Sequence, residues 1–463
     1  MKIFLLAVDD TEDRYETILR PIIISQVSTR WRNVAISTGA LWSNIILTFP
    51  TSRGQLSRAI TWLKRSRSYP LAIYLDFRDP SWDWDLAESS HPFRWQDMEA
   101  LLRLLILHVK RWKQFELLTD TWAPIFTVLH YSRRVNSAPI LESLSLSRCN
   151  AFFASKNATF APVGMKTPVP LFGGIVLGRL REVAFTGVHV DWSESQLRNL
   201  TTLELRYLAS DVTPTKVEFA NILDSCPSLR HLSLIGRGPR ADTPTSGNSS
   251  PVSENAEATP PPSRIIELKF LASFTFGFVE AGYACEVLSM LSLPNIKELS
   301  LIGLGDLDTL AFYGADDATP ILELLTRRDH HSTSTETTFP ISNIHSLKLD
   351  SIYADKTAFI RFFHETHKLH YLGLFNSQHD SLIALQPHSY DSHSSNFCLP
   401  CPTLRYLECR NTDPQMLLDV VELRSATSPL DHITLELEDV TPEIRQKLLD
   451  AGVGVTLDRI EFI

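Results

Sequence analysis

The chain has 463 residues, 44% of them hydrophobic and 21% charged, a globular composition that excludes wholesale disorder and allows at least one large core. Lys and Arg number 44 against 53 Asp and Glu, a net charge of −9, which excludes a general nucleic-acid binder. Residues 1–140 hold 18 basic and 14 acidic side chains and the remainder 26 and 39, so the long-range field of the C-terminal part favours basic partners over acidic ones.

In chain order, the apolar run Ile3 to Val8 stops at Asp9 and Asp10. It is too short for a signal peptide and reads as the end of an amphipathic helix. Ile23, Val27, Trp31 and Val34–Ala35 come next at helical spacing, closed by Ser37-Thr38-Gly39, and a second short apolar group lies at Leu41, Trp42 and Ile45. The pattern predicts two helices and a tight turn, with two tryptophans that serve as a small core or as an anchor for a partner. Residues 51–110 read as a helix and strand bridge, in which Trp82 and Trp84 flank Asp83 in a loop tucked against the strands beyond residue 110. Arg103 and His108 interrupt the most apolar stretch, Leu101 to Val109, so no segment is long enough to cross a bilayer. A soluble cytoplasmic or nuclear protein with no membrane partner is expected.

From residue 111 a short phrase recurs: an apolar residue, two others, an apolar residue, one other, an apolar residue. It begins at Trp112-Phe115-Leu117 and returns at Leu141, Leu180, Leu200, Leu229, Ile265, Ile296, Ile344, Leu369, Leu404 and Leu430, with gaps of 20 to 48 residues. The last two apolar positions alternate as a half-buried strand requires. Between phrases, Val217–Leu223, Ala358–Phe363 and Met416–Leu423 have helical spacing. Two tracts interrupt the pattern. Gly238 to Ser263 is rich in Pro, Ser and Thr and reads as a disordered loop, with Thr243, Ser250 and Thr259 each before a proline; Asp329 to Thr338 reads as a second polar loop.

This alternation resembles the leucine-rich repeat, although the family's asparagine is missing after most strands and the spacing is irregular. The resemblance implies an α/β solenoid over 111–463 whose strands line a concave face. The N-terminal words Val27-Ser28-Thr29-Arg30-Trp31-Arg32-Asn33-Val34-Ala35-Ile36-Ser37-Thr38 and Leu41-Trp42-Ser43-Asn44-Ile45 resemble the second half of an F-box. Ile3-Phe4-Leu5-Leu6 is similar to the end of that motif's first helix. Further phrases, Tyr69-Pro70-Leu71, Arg111-Trp112 and Ala138-Pro139-Ile140-Leu141-Glu142-Ser143-Leu144, resemble F-box proteins of mushroom-forming fungi. The match is tight over 22–47 and looser beyond. The family's opening Leu-Pro-x-Glu phrase is not found, so the F-box over 1–50 is read as incomplete, and Ser28 stands where the family usually has Cys.

The resemblance implies a substrate-recognition adaptor of a Skp-cullin-F-box type ubiquitin ligase. The F-box would bind the Skp-type linker of the cullin complex, and the repeats would bind an unknown protein substrate. Phe4, Val27, Trp31, Leu41 and Trp42 are then the linker-binding or F-box core residues. The alternative is a repeat scaffold that no longer binds the linker. No enzymatic motif, cofactor or metal is expected: His364 and His367 are three apart, the wrong spacing for a zinc helix. The six scattered cysteines point to a reducing compartment. Cys398 and Cys401, with Cys409 and His393 nearby, are better read as repeat positions, since Cys401-Pro402-Thr403-Leu404-Arg405 repeats Cys226-Pro227-Ser228-Leu229-Arg230. Tyr371, Phe375, Tyr406, Glu408 and Arg410 fall at outward strand positions and form the candidate substrate face, where earlier strands offer Ser145, Ser147 and Ser233.

Overall fold

The computed structural model describes residues 2–9, 14–84, 86–149, 159–241, 265–305, 316–327, 339–389, 397–436 and 441–458. It is a mixed α/β protein in which every strand of the main ladders runs parallel to its neighbours, with thirteen α-helices among the described residues. The chain divides into two compact units, the first ending at Cys226 and the second beginning at Pro227.

In the first unit, helices α1 (Lys2–Asp9), α2 (Arg14–Gln26) and α3 (Thr29–Ser37) precede strand β1 (Asn44–Thr48). Then come α4 (Arg53–Arg65), β2 (Leu71–Phe77), α5 (Trp95–Leu105), β3 (Trp112–Thr119), α6 (Trp122–Ser132), β4 (Ser143–Arg148), β5 (Glu182–Thr186), β6 (Thr202–Arg206) and a helix over Lys216–Asp224. The six strands pair in sequence order. β1 lies within residues 1–50 and β2 within 51–110, and both belong to the same parallel run as β3. Strict alternation in β2, LAIYLDF, buries Leu71, Ile73, Leu75 and Phe77 and leaves the residues between them half open. The register then stacks like on like: Ile73, Phe115, Leu144, Val183 and Leu203 form one buried row, and Leu75, Leu117, Leu146, Phe185 and Leu205 the next. Each such side chain contributes roughly 1.5–3 kcal/mol by leaving water.

The second unit repeats the scheme over His231–Ile235, Ser273–Phe278, Glu298–Gly303, Ser346–Asp350, Tyr371–Phe375, Tyr406–Arg410, His432–Glu436 and Gly454–Asp458, again parallel and in order. Its buried row runs Leu232, Phe274, Leu299, Leu347, Leu372, Leu407 and Ile433. Helices connect many of the strands, and their ends are marked in the sequence. Thr215 and Glu218 form a reciprocal capping box, and Asp413 and Thr441 cap helices that begin with Pro414 and Pro442. No helix among the described residues is long and apolar enough to cross a membrane.

Ten of the eleven recurring phrases fall on strands, and one does not. At Ile265-Leu268-Phe270, Ile266–Glu267 pairs with Leu291–Ser292 in a separate two-stranded ladder, while Ile265 and Phe270 are exposed. The main-ladder strand lies six residues later, where Leu271, Phe274 and Phe276 repeat the spacing and are buried. Spacing alone cannot separate two overlapping frames; the turn at Lys269 and Phe270 selects the second. Two further corrections fall at the N-terminus. The apolar series read as one helix from Ile23 is broken at Val27–Ser28, because the Ser28 hydroxyl accepts the Trp31 amide at 3.2 Å and starts α3 afresh. Leu41 and Trp42 form a single 3₁₀ turn, and Ile45 to Leu47 run on as β1, where Ala72 to Leu75 offer a pairing partner that no local signal reveals. The tract 242–263 of the expected disordered loop and the tract 329–338 lie outside the described residues, as do Thr243, Ser250 and Thr259.

Just past many of the strands the chain turns through a left-handed residue: Gly187, Tyr207, Gly236, Ser351, Asn376 and Asn411. At three successive strand ends the side chains also join. Asn376 donates to Asp350 at 3.0 Å and Asn411 donates to Asn376 at 3.3 Å, a short amide ladder. Gly187 has φ +62° and its missing Cβ would lie 3.0 Å from the Arg148 carbonyl oxygen. Gly187→Val should therefore cost about 2 kcal/mol or more, measured as a lower urea midpoint; an unchanged midpoint would mean that the turn relaxes freely.

Candidate partner-binding surfaces

The first three helices are too short to enclose a core of their own, and they split their apolar residues between two sides. Trp42 is fully buried. Its indole Nε1 donates to the Ala35 carbonyl at 2.8 Å, its ring meets Trp62 edge-on at 5.6 Å, and the Arg65 guanidinium lies 4.5 Å from its centroid. Leu41 is buried beside it, and Phe4 is nearly buried with its ring 4.8 Å from Trp31. Val27 and Trp31, in contrast, are 59% and 40% exposed. The five residues predicted as F-box core or linker contacts thus divide into an interior trio and an exposed pair. The exposed pair has company, in which only Leu19 had not been singled out by sequence patterning. Leu19 and Ile23 are exposed, and with Val27 they sit four residues apart, on one side of α2 and its C-terminal extension; Ile3 and Leu6 are exposed on α1.

Contacts from two arginines hold this helical segment. The Arg20 guanidinium donates to the Ala7 carbonyl, tying α2 to α1, and bonds Glu16 at 3.0 Å. Arg14 reaches from α2 to Glu116 of β3 at 2.6 Å, and its guanidinium lies 4.5 Å over the Tyr74 ring of β2. Beneath Arg14 lies a cleft of about 350 Å³ lined by Asn44, Tyr74, Gln114, Ser143 and Glu182 among others. The Tyr74 hydroxyl donates to Asp76 at 3.3 Å, and Arg78 bonds both Asp76 oxygens at 2.9 and 2.8 Å. Burial and the neighbouring Asp76 carboxylate push the Tyr74 hydroxyl up to about 12. Burial works to raise the Asp76 carboxyl as well, but its bonds to Arg78 and Tyr74 outweigh it and the net shift is downward. A buried His91–Asp120 pair at 3.1 Å, with Asp120 also accepting the Asp79 amide at 2.6 Å, anchors the loop that carries Trp82 against His91.

In the second unit the register brings all five predicted face residues together. Tyr371 pairs with Tyr406 and Phe375 with Arg410 across adjacent strands, with Gly373 and Glu408 between them. The Tyr371 hydroxyl donates to Glu408, and Arg410 bonds the same carboxylate through Nε at 3.2 Å and Nη2 at 2.8 Å. The Arg410 guanidinium is 5.2 Å from the Phe375 centroid. Gly373 makes room for both rings: a Cβ there would lie 2.9 Å from the Phe375 ring and 3.3 Å from the Tyr371 hydroxyl. Lys348, on the neighbouring strand, was not predicted, yet its ammonium lies 5.6 Å from the Tyr371 ring and 6.0 Å from that of Phe375. Its position, directly across from Gly373, arises from pairing and not from anything local. Tyr406 is 50% exposed. Burial and the Glu408 carboxylate raise the Tyr371 hydroxyl well above its ordinary value, so it stays a donor.

The strand of Tyr406 is held from below. Arg424 is fully buried and donates to the carbonyls of Leu385 at 3.1 Å, Pro400 at 2.8 Å and Cys401 at 2.8 Å. Cys401 is buried beside the Thr366 hydroxyl at 3.2 Å, and Cys409 points into the core. Burial pushes their thiols up to about 11 and about 12, which suits packing positions. His393 lies outside the described residues, among which no group of three or more His, Cys, Asp or Glu is placed to hold a metal. Ser233, expected to face outward, is buried.

No protein-family model matches the sequence, and no curated protein matches it.

Two outcomes are expected. Trp42→Ala should cost about 3–5 kcal/mol in denaturant unfolding, whereas Trp31→Ala, which removes a ring already 40% in water, should cost clearly less; equal losses would contradict the division into interior and open residues. Because the Asp76 carboxyl is depressed in the folded state, its ionisation stabilises the fold above the ordinary value of 3.8 and that contribution is lost as pH falls below it. Asp76→Asn should accordingly flatten the stability profile in urea titrations between about pH 5 and about pH 2; an unchanged slope would count against the Arg78 bonds.

Proposed function

We propose that the chain is a substrate-recruiting adaptor of a Skp-cullin-F-box type ubiquitin ligase, performing no chemistry itself. The helices α1–α3 act as an incomplete F-box that docks on the linker. The parallel strands and their helices form an irregular leucine-rich-repeat-like solenoid that takes a protein substrate on its outward strand positions. The observation that carries this reading is the apolar side of α2 and its C-terminal extension left open: Leu19, Ile23 and Val27, spaced four apart, are exposed, and Trp31 of α3 is 40% exposed, whereas the inward strand rows of the described residues are buried. Exposed apolar residues so grouped mark an interface. The amide ladder Asp350–Asn376–Asn411 supports the repeat part of the reading, because it is a short form of the asparagine array of that family. Cytoplasmic or nuclear residence belongs to the same proposal. The burial of Phe4, Leu41 and Trp42, which leaves fewer open contacts, favours the second reading, a repeat scaffold without linker binding.

Co-purification of the chain with a Skp-type linker decides between the two. The adaptor reading expects complex formation that is lost with Trp31→Ala or Val27→Asp while the variants remain folded by circular dichroism. Absence of a complex with the unaltered chain, or a complex indifferent to both substitutions, would overturn it.

A further inference from the structure

The outward positions of three successive strands, Ser346–Asp350, Tyr371–Phe375 and Tyr406–Arg410, form a surface whose charges are unevenly satisfied. The two carboxylates on it are both engaged from within. Glu408 takes the Tyr371 hydroxyl and Arg410, and Asp350 takes the Ser351 hydroxyl and the Asn376 amide, each at 3.0 Å. The cations are engaged by rings: Lys348 has no carboxylate partner among the described residues and leans on Tyr371 and Phe375, while Arg410, on the strand that flanks Tyr371–Phe375 at its other edge, lies 5.2 Å from the Phe375 centroid. At the start of these strands stand further donors without carboxylate partners among the described residues. His345 and His370 stack at 5.7 Å, and Lys368 bonds only an amide oxygen, that of Asn343, at 2.8 Å.

We propose that this surface binds an acidic, unphosphorylated peptide segment of a protein partner, with a carboxylate beside Lys348 and Arg410 and a neighbouring apolar side chain on the Phe375 and Tyr406 rings. The inference rests on the reading of this face as partner-binding and names the chemistry of its partner. Charge complementarity selects the carboxylate: Asp350 and Glu408, the two carboxylates of these three strands, are already paired while Lys348 has no carboxylate partner among the described residues, so the unmet demand at Lys348 is for negative charge, although Glu436 on the next strand keeps one buried oxygen without a hydrogen-bond partner. Carboxylate is favoured over phosphate because a phosphate site converges forked donors on one anion, whereas Arg410 has already spent Nε and Nη2 on Glu408, which leaves its Nη1 and the single ammonium of Lys348. The rings are set in advance, since Gly373 lets both close over the backbone, so little side-chain ordering remains to oppose binding. The acidic excess of residues 141–463 opposes this choice only at long range, beyond the roughly 8 Å over which charges act in physiological salt.

The test uses the full chain and three short fluorescent peptides with one Phe- and Leu-containing skeleton, carrying Glu, Lys or phosphoserine at alternate positions, read by anisotropy. The Glu peptide should bind, and Lys348→Glu and Arg410→Glu should each weaken it by about tenfold with an unchanged melting temperature. The double reversal should transfer preference to the Lys peptide, a gain that a damaged fold cannot produce. The proposal is overturned if the unaltered chain fails to bind the Glu peptide, binds the Lys peptide as tightly, prefers the phosphoserine peptide, or is indifferent to charge reversal. Linker co-purification is a separate measurement, so failure of the adaptor reading and failure of this one are told apart.

Discussion

Each main-ladder strand is short, and in most of them only two side chains are buried directly against the counterparts of the next strand. That pair of inward positions is the constraint on which the other features depend. Parallel neighbours repeat at about 4.8 Å, so a buried row holds together only if each strand supplies an apolar group at the same register. The row Leu372–Leu407–Ile433 and the row Leu374–Cys409–Leu435 do so without interruption. Cys409 is as apolar as its place requires, and Gly373, opposite in facing, is small because the Phe375 ring and the Tyr371 hydroxyl crowd the space that a Cβ would take. A parallel pair also needs a long connection between strands, and the helices that supply it begin or end at identifiable caps.

The outward side chains are freed from packing, and charge and ring chemistry decide them instead. In the second unit that freedom has been used to assemble a set of mutually supporting groups. Glu408 orders Tyr371 and Arg410, Arg410 and Lys348 flank Phe375, and Gly373 lets the rings settle over the backbone. Beneath, Arg424 spends its donors on three carbonyls of the chain leading into Tyr406. A buried guanidinium without a carboxylate is costly unless its donors are met; here Nη1 and Nη2 are met by backbone carbonyls, while Nε is buried without a hydrogen-bond partner.

The N-terminal helices obey a different balance. Three helices of 8, 13 and 9 residues cannot bury both of their sides. Phe4 of α1 and, just after α3, Leu41 and Trp42 of the 3₁₀ turn are buried, and α2 is steadied on the sheet by Arg14, which meets a carboxylate and a ring at once. The remaining apolar side of α2 has no counterpart within the first unit. Its exposure arises from the economy of a small segment and is the feature on which the functional reading turns.

Strand positions were largely legible because alternation is a local consequence of a half-buried strand, and the N-terminal helical character was legible from spacing in the same way. The misplaced phrase at Ile265 shows the limit: two frames six residues apart satisfy the same spacing, and the turn at Lys269 and Phe270 together with pairing to Leu232 and Leu299 picks Phe274. Outward positions at Tyr371, Phe375, Tyr406, Glu408 and Arg410 were legible too, since facing is fixed by parity within a strand. Lys348 was not, because its neighbour across the sheet is 25 residues away in register and no local pattern encodes that distance. The division of Trp31 from Trp42 likewise belongs to tertiary structure. Both tryptophans have the same side chain and similar sequence surroundings, and only the arrival of Trp62 and Arg65 over one of them decides which is interior. Sequence by itself determined periodicity and facing, both of which depend on residues within a few positions of one another. Register, charge pairing and the choice of exposed side depend on which distant strands and helices meet, and that was decided only by the folded chain.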